Sequence, residues 1–489
     1  MTGAARTLIV DVPGPDLTPA QGRFLREYGF GGVCLFARNI RTPEQTARLI
    51  RDLRDALGGG AWIATDQEGG AVLRRLDVPL PPAPLALGVI GSEDAAWEAG
   101  AVAARGLIEL GINWDFAPSL DVNVNPANPV IGERAFGANP DLVARLGTAW
   151  ALGLEAQGVM AAVKHFPGHG DTHQDSHLTL PVVDKPLAAL EATEWLPFRT
   201  AVTAGVGSVM TAHIVYPALD PHRPATLSPA LLTGLLRERW GYGGVVVTDA
   251  TDMRAIADRS PHGAAAPLAL AAGADAVLSC GHGELRIHAE HARALEAALR
   301  EGSLDEARVE EAGSRLERAA RRFPGTPRPY TADEREADEA SVARWAREAL
   351  TFLGDVPRLS PDGPVLLYAP RTAPVGGPYG DAPSGEALAD ALRTHFPRLR
   401  VALHGAGARE PDPSLLRTFP DAPVILATLD RWAPPAWQAQ LAPTLHGRTA
   451  VHLALWTVHR FGDAALPTLA AHGFREVNLR AAARALARD

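Results

Sequence analysis

Residues 159–177 read VMAAVKHFPGHGDTHQDSH. The run opens with five apolar residues, Val159 to Val163, and then empties into a loop dense with titratable groups. The fourteen residues from Lys164 to His177 carry one Lys, four His and two Asp, interrupted by Pro167, Gly168 and Gly170. These turn formers argue against a helix, so turns shape the loop. A buried strand that discharges polar side chains into a loop is how an α/β active site looks in sequence. Within the loop, Asp175 and His177 stand two residues apart. In an extended segment they project to one side and can touch. A carboxylate beside an imidazole raises the imidazole pKa, which suits a proton donor working near neutral pH.

Similar apolar runs lie on both sides of this one. TLIVDV (7–12), GGVCLFA (31–37), AWIATDQE (61–68) and NWDFAPSLDV (113–122) precede it, and GSVMTAH (207–213), GGVVVTDA (243–250) and ADAVLSC (274–280) follow. Amphipathic segments such as PEQTARLIRDLRDAL (43–57) and LVARLGTAWALGLEAQG (142–158) separate them. Near-continuous apolar strands alternating with helices predict a parallel sheet covered on both faces. Eight such units fit an α/β fold of the (β/α)8 TIM type, usually about 250 residues long, in preference to an open doubly wound sheet. The catalytic barrel is expected over residues 1–320. A segment rich in Pro and charge is read as a linker over 321–345, and a smaller C-terminal α/β domain over 346–489. In that domain VLLYAP (365–370), RVALH (400–404), PVILATLD (423–430) and AVHLALW (450–456) read as strands, for a total of four or five. AREALTFLGD (346–355), which leads into it, reads as helical or mixed, and VGGPYGD (375–381) as a segment able to reach elsewhere.

Catalytic groups of a barrel come from the C-terminal ends of its strands. Asp66 ends the third strand here, Lys164 and His165 the fifth, His213 the sixth and Asp249 the seventh. An uncompensated buried charge is costly, so these groups are expected to share one solvated pocket.

The 489 residues are 46% hydrophobic, enough for a large core, and the net charge is −9. The Arg-rich basic residues are scattered among acids with no basic stripe, so no nucleic-acid partner is expected. Cys34 and Cys280, the two cysteines, sit in apolar runs and read as buried thiols, giving neither a disulfide scaffold nor a zinc-ligand set. MTGAARTLIVDVPGPD lacks the h-region and cleavage site of a signal peptide, and no apolar run approaches a membrane span. A soluble, cytoplasmic protein without a membrane partner is expected. No phosphate loop and no short-period repeat is present.

The chain resembles the bacterial β-N-acetylglucosaminidases of glycoside hydrolase family 3. The resemblance is carried, in order, by GGVCLFARN (31–39), DQEGG (66–70), DVNVNPANPVIGERAFG (121–137), KHFPGHGDTHQDSH (164–177), VMTAHIVYP (209–217) and VVVTDATDM (245–253). It implies a retaining β-glycosidase with a carbohydrate substrate ending in N-acetylglucosamine and no cofactor. Asp249 falls on the family's nucleophile, and Asp175 and His177 on its acid/base dyad. Asp66, Arg74, Arg134, Lys164 and His165 fall on positions that hold the sugar, and His213 is added to these as a strand-end contact. The resemblance also suggests muropeptides from peptidoglycan recycling as substrates. Two positions depart from the family. Ala250 stands where a second acidic residue is usual, and Ala71 where an Arg often stands.

Three other readings compete. The string of His165, His169, Asp171, His173, Asp175 and His177 is rich in zinc-type ligands, which suggests a metal-dependent hydrolase. Against it, the string lies in one loop and not on several strand ends, and no metal is expected. A catalytically weak sugar-binding paralogue would account for Ala71 and Ala250. A β-glucosidase or a glycoside phosphorylase would keep the family but change the sugar or the acceptor.

Overall fold

The computed structural model describes residues 3–173, 180–257, 263–373, 379, 382–405, 413–429, 441–445, 447–456 and 466–488. All eight predicted barrel strands are present. They are β1 (Leu8–Val10), β2 (Gly32–Cys34), β3 (Trp62–Thr65), β4 (Trp114–Asp115), β5 (Met160–Phe166), β6 (Ser208–Thr211), β9 (Val245–Val247) and β10 (Val277–Ser279). A short antiparallel hairpin of β7 (Val215–Tyr216) and β8 (Asp220–Pro224) is inserted between β6 and β9. The barrel strands pair in the order β10-β1-β2-β3-β4-β5-β6-β9. A parallel bridge between Val247 and Ala276 joins the two ends, with the amide of Thr248 donating to the Ala276 carbonyl at 3.0 Å. The sheet is therefore a (β/α)8 barrel.

The strands carry two apolar faces because side chains alternate along each one. Ile9, Cys34, Trp62, Ala64, Trp114, Met160, Ala162, Val245, Val247 and Leu278 pack together inside the barrel. Their neighbours Leu8, Val10, Val33, Ile63, Ala161, Val163 and Val246 pack outward into the helical layer. Both cysteines are free and buried. Among the described residues no helix is long and apolar enough to cross a membrane.

The second sheet has six strands. They are β11 (Thr351–Leu353), β12 (Val365–Pro370), β13 (Leu399–His404), β14 (Val424–Thr428), β15 (Ala450–Ala454) and β16 (Thr468–Ala470), ordered β11-β16-β15-β14-β12-β13. The four expected strands are found, with β11 and β16 in addition. Thr351–Leu353, read as helical or mixed, is an antiparallel edge strand on β16. Phe352 and Leu353 remain exposed there, so burial did not mark it in the sequence.

The segment read as a linker carries a 17-residue helix, Ala332–Glu348. Thr331 caps it, accepting from the Glu334 amide while the Glu334 side chain returns to the Thr331 amide. This capping box and the acids of the first turn favour a helix start just beyond the Pro-rich stretch. The helix buries Val342 and Trp345 in the barrel's outer core. Arg105, on the barrel helix Glu93–Ile108, grips it by a fork onto Asp338, Nε to Oδ2 at 2.7 Å and Nη2 to Oδ1 at 2.5 Å. The Tyr330 hydroxyl donates to the same carboxylate at 2.6 Å.

Removing one partner of a buried pair leaves the other uncompensated. Asp338→Ala is therefore expected to destabilise the protein by about 3 kcal/mol, read as a lower midpoint in urea denaturation. A midpoint equal to that of the wild type would show that the fork does not hold this helix.

Candidate active site

Alternation along the strands decides which side chains reach the barrel mouth. Ile9 points inward, and two residues on stands Asp11. Cys34 leads to Phe36, Ala64 to Asp66, Ala162 to Lys164, Val247 to Asp249 and Leu278 to Cys280. All six of these second residues line one cavity of about 570 Å³, within the roughly 300–1,000 Å³ typical of small-molecule sites. In β5 the register against β6 shifts between Val163 and Phe166. Lys164 and His165, adjacent in sequence, therefore both reach the cavity, and Phe166 turns out into the helical layer.

Lys164 is the buried centre of the site. Its ammonium lies 3.0 Å from Asp66 Oδ1 and 2.6 Å from Glu68 Oε1. Glu68 is gripped from the other side by the Arg134 fork, Nε to Oε2 at 2.8 Å and Nη2 to Oε1 at 2.7 Å. Arg74 reaches Asp66 Oδ2 at 3.1 Å. Burial would push the Glu68 carboxyl up, but Arg134 and Lys164 hold it well below the usual carboxylate range. Burial likewise opposes the charge on Lys164, yet Glu68 and Asp66 raise its pKa. The three cations Arg74, Arg134 and Lys164 thus share the two carboxylates Asp66 and Glu68. Gly70, at φ +57°, lets the DQEGG loop turn against Ala83, where a Cβ would collide at 2.6 Å.

His165 is held by Asp121, Nδ1 to Oδ2 at 2.7 Å. Asp121 also accepts the His169 amide at 2.6 Å and the Ser119 hydroxyl at 2.9 Å. Burial raises the Asp121 carboxyl, and the imidazoles of His165 and His169 outweigh it, leaving the pKa at about 2. His169 Nδ1 sits 2.8 Å from Thr172 Oγ1, and burial holds this ring down to about 4. Gly170 packs on the Val122 carbonyl, where a Cβ would stand at 1.8 Å. Asn125 contacts His173 Nδ1 at 3.0 Å and donates to the Thr172 carbonyl at 3.0 Å. The rings of His165, His169 and His173 are thus each turned to a protein partner. Among the described residues no group of three His, Cys, Asp or Glu is placed to hold a metal ion.

Asp249 is half-buried at the end of β9, with the Ala250 amide donating to Oδ1 at 2.7 Å. Asp175 and His177 lie outside the described residues. The ends of their loop are fixed, by Asn125 before it and after it by the Val215 amide, which donates to the Pro181 carbonyl at 3.0 Å. His213, expected as a substrate contact, stands apart from the cavity lining. Its Nε2 lies 2.9 Å from the Ala250 carbonyl and its Nδ1 2.7 Å from Thr226 Oγ1, so it braces the turn that follows Asp249.

Several residues went unassigned in the sequence. Glu68 and Asp121 stood inside the quoted motifs, and their buried position was the missing signal. Asp11 lines the cavity paired with Arg38. Asp252 lines it too, 3.3 Å from His282 Nε2, and burial raises its pKa with His282 opposing. Tyr379 reaches the cavity from the second domain.

A sequence profile of the glycosyl hydrolase family 3 N-terminal domain matches residues 10–319. The chain belongs to glycosyl hydrolase family 3. Beta-hexosaminidase A of Pseudoalteromonas piscicida is 42% identical over 264 residues, a match spanning 50% of this chain and 44% of that protein. Among solved structures, a family 3 β-N-acetylglucosaminidase from Paenibacillus sp. str. FPU-7 superposes with a TM-score of 0.90 at 31% identity, covering 99% of this chain and 95% of the other. NagZ from Neisseria gonorrhoeae, solved in complex with N-trifluoroacetyl-D-glucosamine, matches 69% of this chain and 97% of its own at 32% identity, with a TM-score of 0.58. As a family 3 member the protein is a glycoside hydrolase.

The Asp121 carboxyl, held down to about 2, gives a pH signature. A depressed carboxyl contributes stability that is complete above the unfolded pKa near 3.9 and is lost as the pH falls through the folded value. Asp121→Asn should therefore be less stable than wild type by about 2 kcal/mol at pH 6, with the gap shrinking to about half by pH 3. Melting curves at the two pH values check this. A gap that stays constant would detach Asp121 from its imidazole partners.

Proposed function

We propose that the protein is a retaining exo-β-N-acetylglucosaminidase. It removes terminal N-acetylglucosamine from β-linked glycosides, with muropeptides of cytoplasmic peptidoglycan recycling as the substrates. The observation that carries this reading is the single cavity in which Asp249 from β9 shares the walls with Asp66, Arg74, Arg134, Lys164 and His165. A carboxylate nucleophile facing charged donors and acceptors is the equipment of a sugar site. Hydrogen bonds to charged groups are worth roughly 1.5–3 kcal/mol each, so several converging on one ring fix its position. The Paenibacillus relative, a β-N-acetylglucosaminidase, and the Neisseria relative, with its N-acylated glucosamine ligand, support the sugar assignment.

In the proposed mechanism Asp249 attacks the anomeric carbon as the bond to the leaving oxygen breaks, forming a glycosyl ester. His177, steadied by Asp175, gives its proton to the leaving oxygen. Water then enters and His177 takes a proton from it. The new hydroxyl displaces Asp249, and the sugar leaves with its β configuration. Covalent capture splits one hard step into two. Retaining enzymes usually pair two carboxyl groups. Here an imidazole takes the acid/base place, and Lys164, Arg134, Arg74 and Asp66 hold the sugar hydroxyls.

The test is turnover of an aryl β-N-acetylglucosaminide compared with an aryl β-glucoside, with and without phosphate. The glycosaminide is expected to be faster, without phosphate dependence, and its product β by the anomeric proton signal. A faster glucoside, a phosphate requirement or an α product would overturn the corresponding part of the reading. Asp249→Ala is expected to abolish turnover in a folded protein, and near wild-type rate would remove Asp249 from the mechanism. His177→Ala should slow substrates with poor leaving groups far more than activated ones. Equal losses on both would contradict the acid role.

A further inference from the structure

Among the described residues, the second domain touches two barrel loops that carry groups of the sugar site. The first is the 66–75 loop, which holds Asp66, Glu68 and Arg74. Arg475 of the second domain donates to the Gly70 carbonyl at 3.1 Å. Ala71, only 4% exposed, belongs to the second domain's apolar core, which also holds Leu367 of β12, Ile425 of β14 and Leu453 of β15. The second loop ends in Arg134. There the Tyr379 hydroxyl donates to the Val130 carbonyl at 3.3 Å, the same carbonyl that accepts Arg134 Nη1 at 3.2 Å. Tyr379 is anchored behind by Trp456, edge to face at 5.5 Å, and Trp456 by Phe474 at 4.9 Å. Its ring lines the cavity with Asp249 and Arg134.

We propose that Tyr379 is a wall and positioning residue of the sugar site, contributed by the second domain. The phenol ring closes one side of the cavity, and its hydroxyl shares the Val130 carbonyl that orients Arg134. Ala71 belongs to the same device. An Arg at this position would bury a guanidinium in the apolar core of the second domain, an uncompensated charge that packing could not accept. The small apolar residue lets the domain seat close enough for Tyr379 to reach the cavity. The Neisseria relative matches 69% of this chain over 97% of its own, so the remainder of this chain has no counterpart there. The two-domain arrangement thus adds a wall to a site whose charged groups, among the described residues, lie on the barrel.

The inference rests on the sugar-site reading under Proposed function, and the test separates the two. Steady-state kinetics are measured for wild type, Tyr379→Phe, Tyr379→Ala and Ala71→Arg on an aryl β-N-acetylglucosaminide. Failure of the wild type on that substrate, with turnover of an aryl β-glucoside, removes the sugar assignment, and the variants are then compared on the glucoside. Tyr379→Ala should raise KM about tenfold with kcat changed less than about threefold, because a wall residue acts mainly on binding. Tyr379→Phe, which keeps the ring, should recover most of the loss. Ala71→Arg, placed outside the cavity, should raise KM in the same direction by unseating the domain. Wild-type KM in both Tyr379→Ala and Ala71→Arg, or a loss confined to kcat, would overturn the proposal.

Discussion

A buried ammonium held between two carboxylates sets the terms for the mouth of this barrel. Lys164 is 2% exposed and touches Asp66 and Glu68. A charge taken out of water needs partners in good geometry or it neutralises. Glu68, itself buried, has spare acceptor capacity, which the Arg134 fork fills. Asp66 has a second oxygen, which Arg74 fills. Each residue is fixed because its neighbour would otherwise be uncompensated, so the charged groups of the cavity are positioned before any ligand arrives. Preorganised donors of this kind need not reorganise when charge develops on a reacting sugar.

Much of this arrangement was legible in the sequence, for one physical reason. A barrel strand alternates inward and outward, so the residue that ends an inward series must face the mouth. Asp66, Lys164 and Asp249 are such residues and were readable from the apolar runs before them. His165 was named from its motif and lines the cavity, and its route there depends on a register shift in β5 that no periodicity encodes. His213 shows the opposite case. It ends a strand and yet is spent on the Ala250 carbonyl, because the inward series of β6 reaches the cavity through Met210. Glu68 and Asp121 were hidden, since sequence cannot distinguish a solvated loop acid from one buried against an Arg or an imidazole.

The second domain was legible in outline and less so at its seams. Its central strands are continuous apolar runs, and these were found. The edge strand β11 has two exposed apolar residues and gave no burial pattern. The helix Ala332–Glu348 was obscured by the prolines before it and by its own charge, although its capping box is written plainly at Thr331 and Glu334. The departure at Ala71 has a structural meaning that the barrel alone does not supply. That side chain belongs to the core of the neighbouring domain, so the two domains constrain each other's sequence where they meet.

The proposed mechanism turns on one claim, that the cavity holds a single sugar whose glycosyl group passes to Asp249. The most direct measurement is intact-mass and peptide analysis after incubation with a 5-fluoro glycosyl fluoride of N-acetylglucosamine, which slows release of a covalent intermediate. One glycosyl adduct per chain, on the peptide that contains Asp249, is the predicted result. An adduct on another carboxylate, or continued turnover of the reagent with no adduct at any time, would contradict the account.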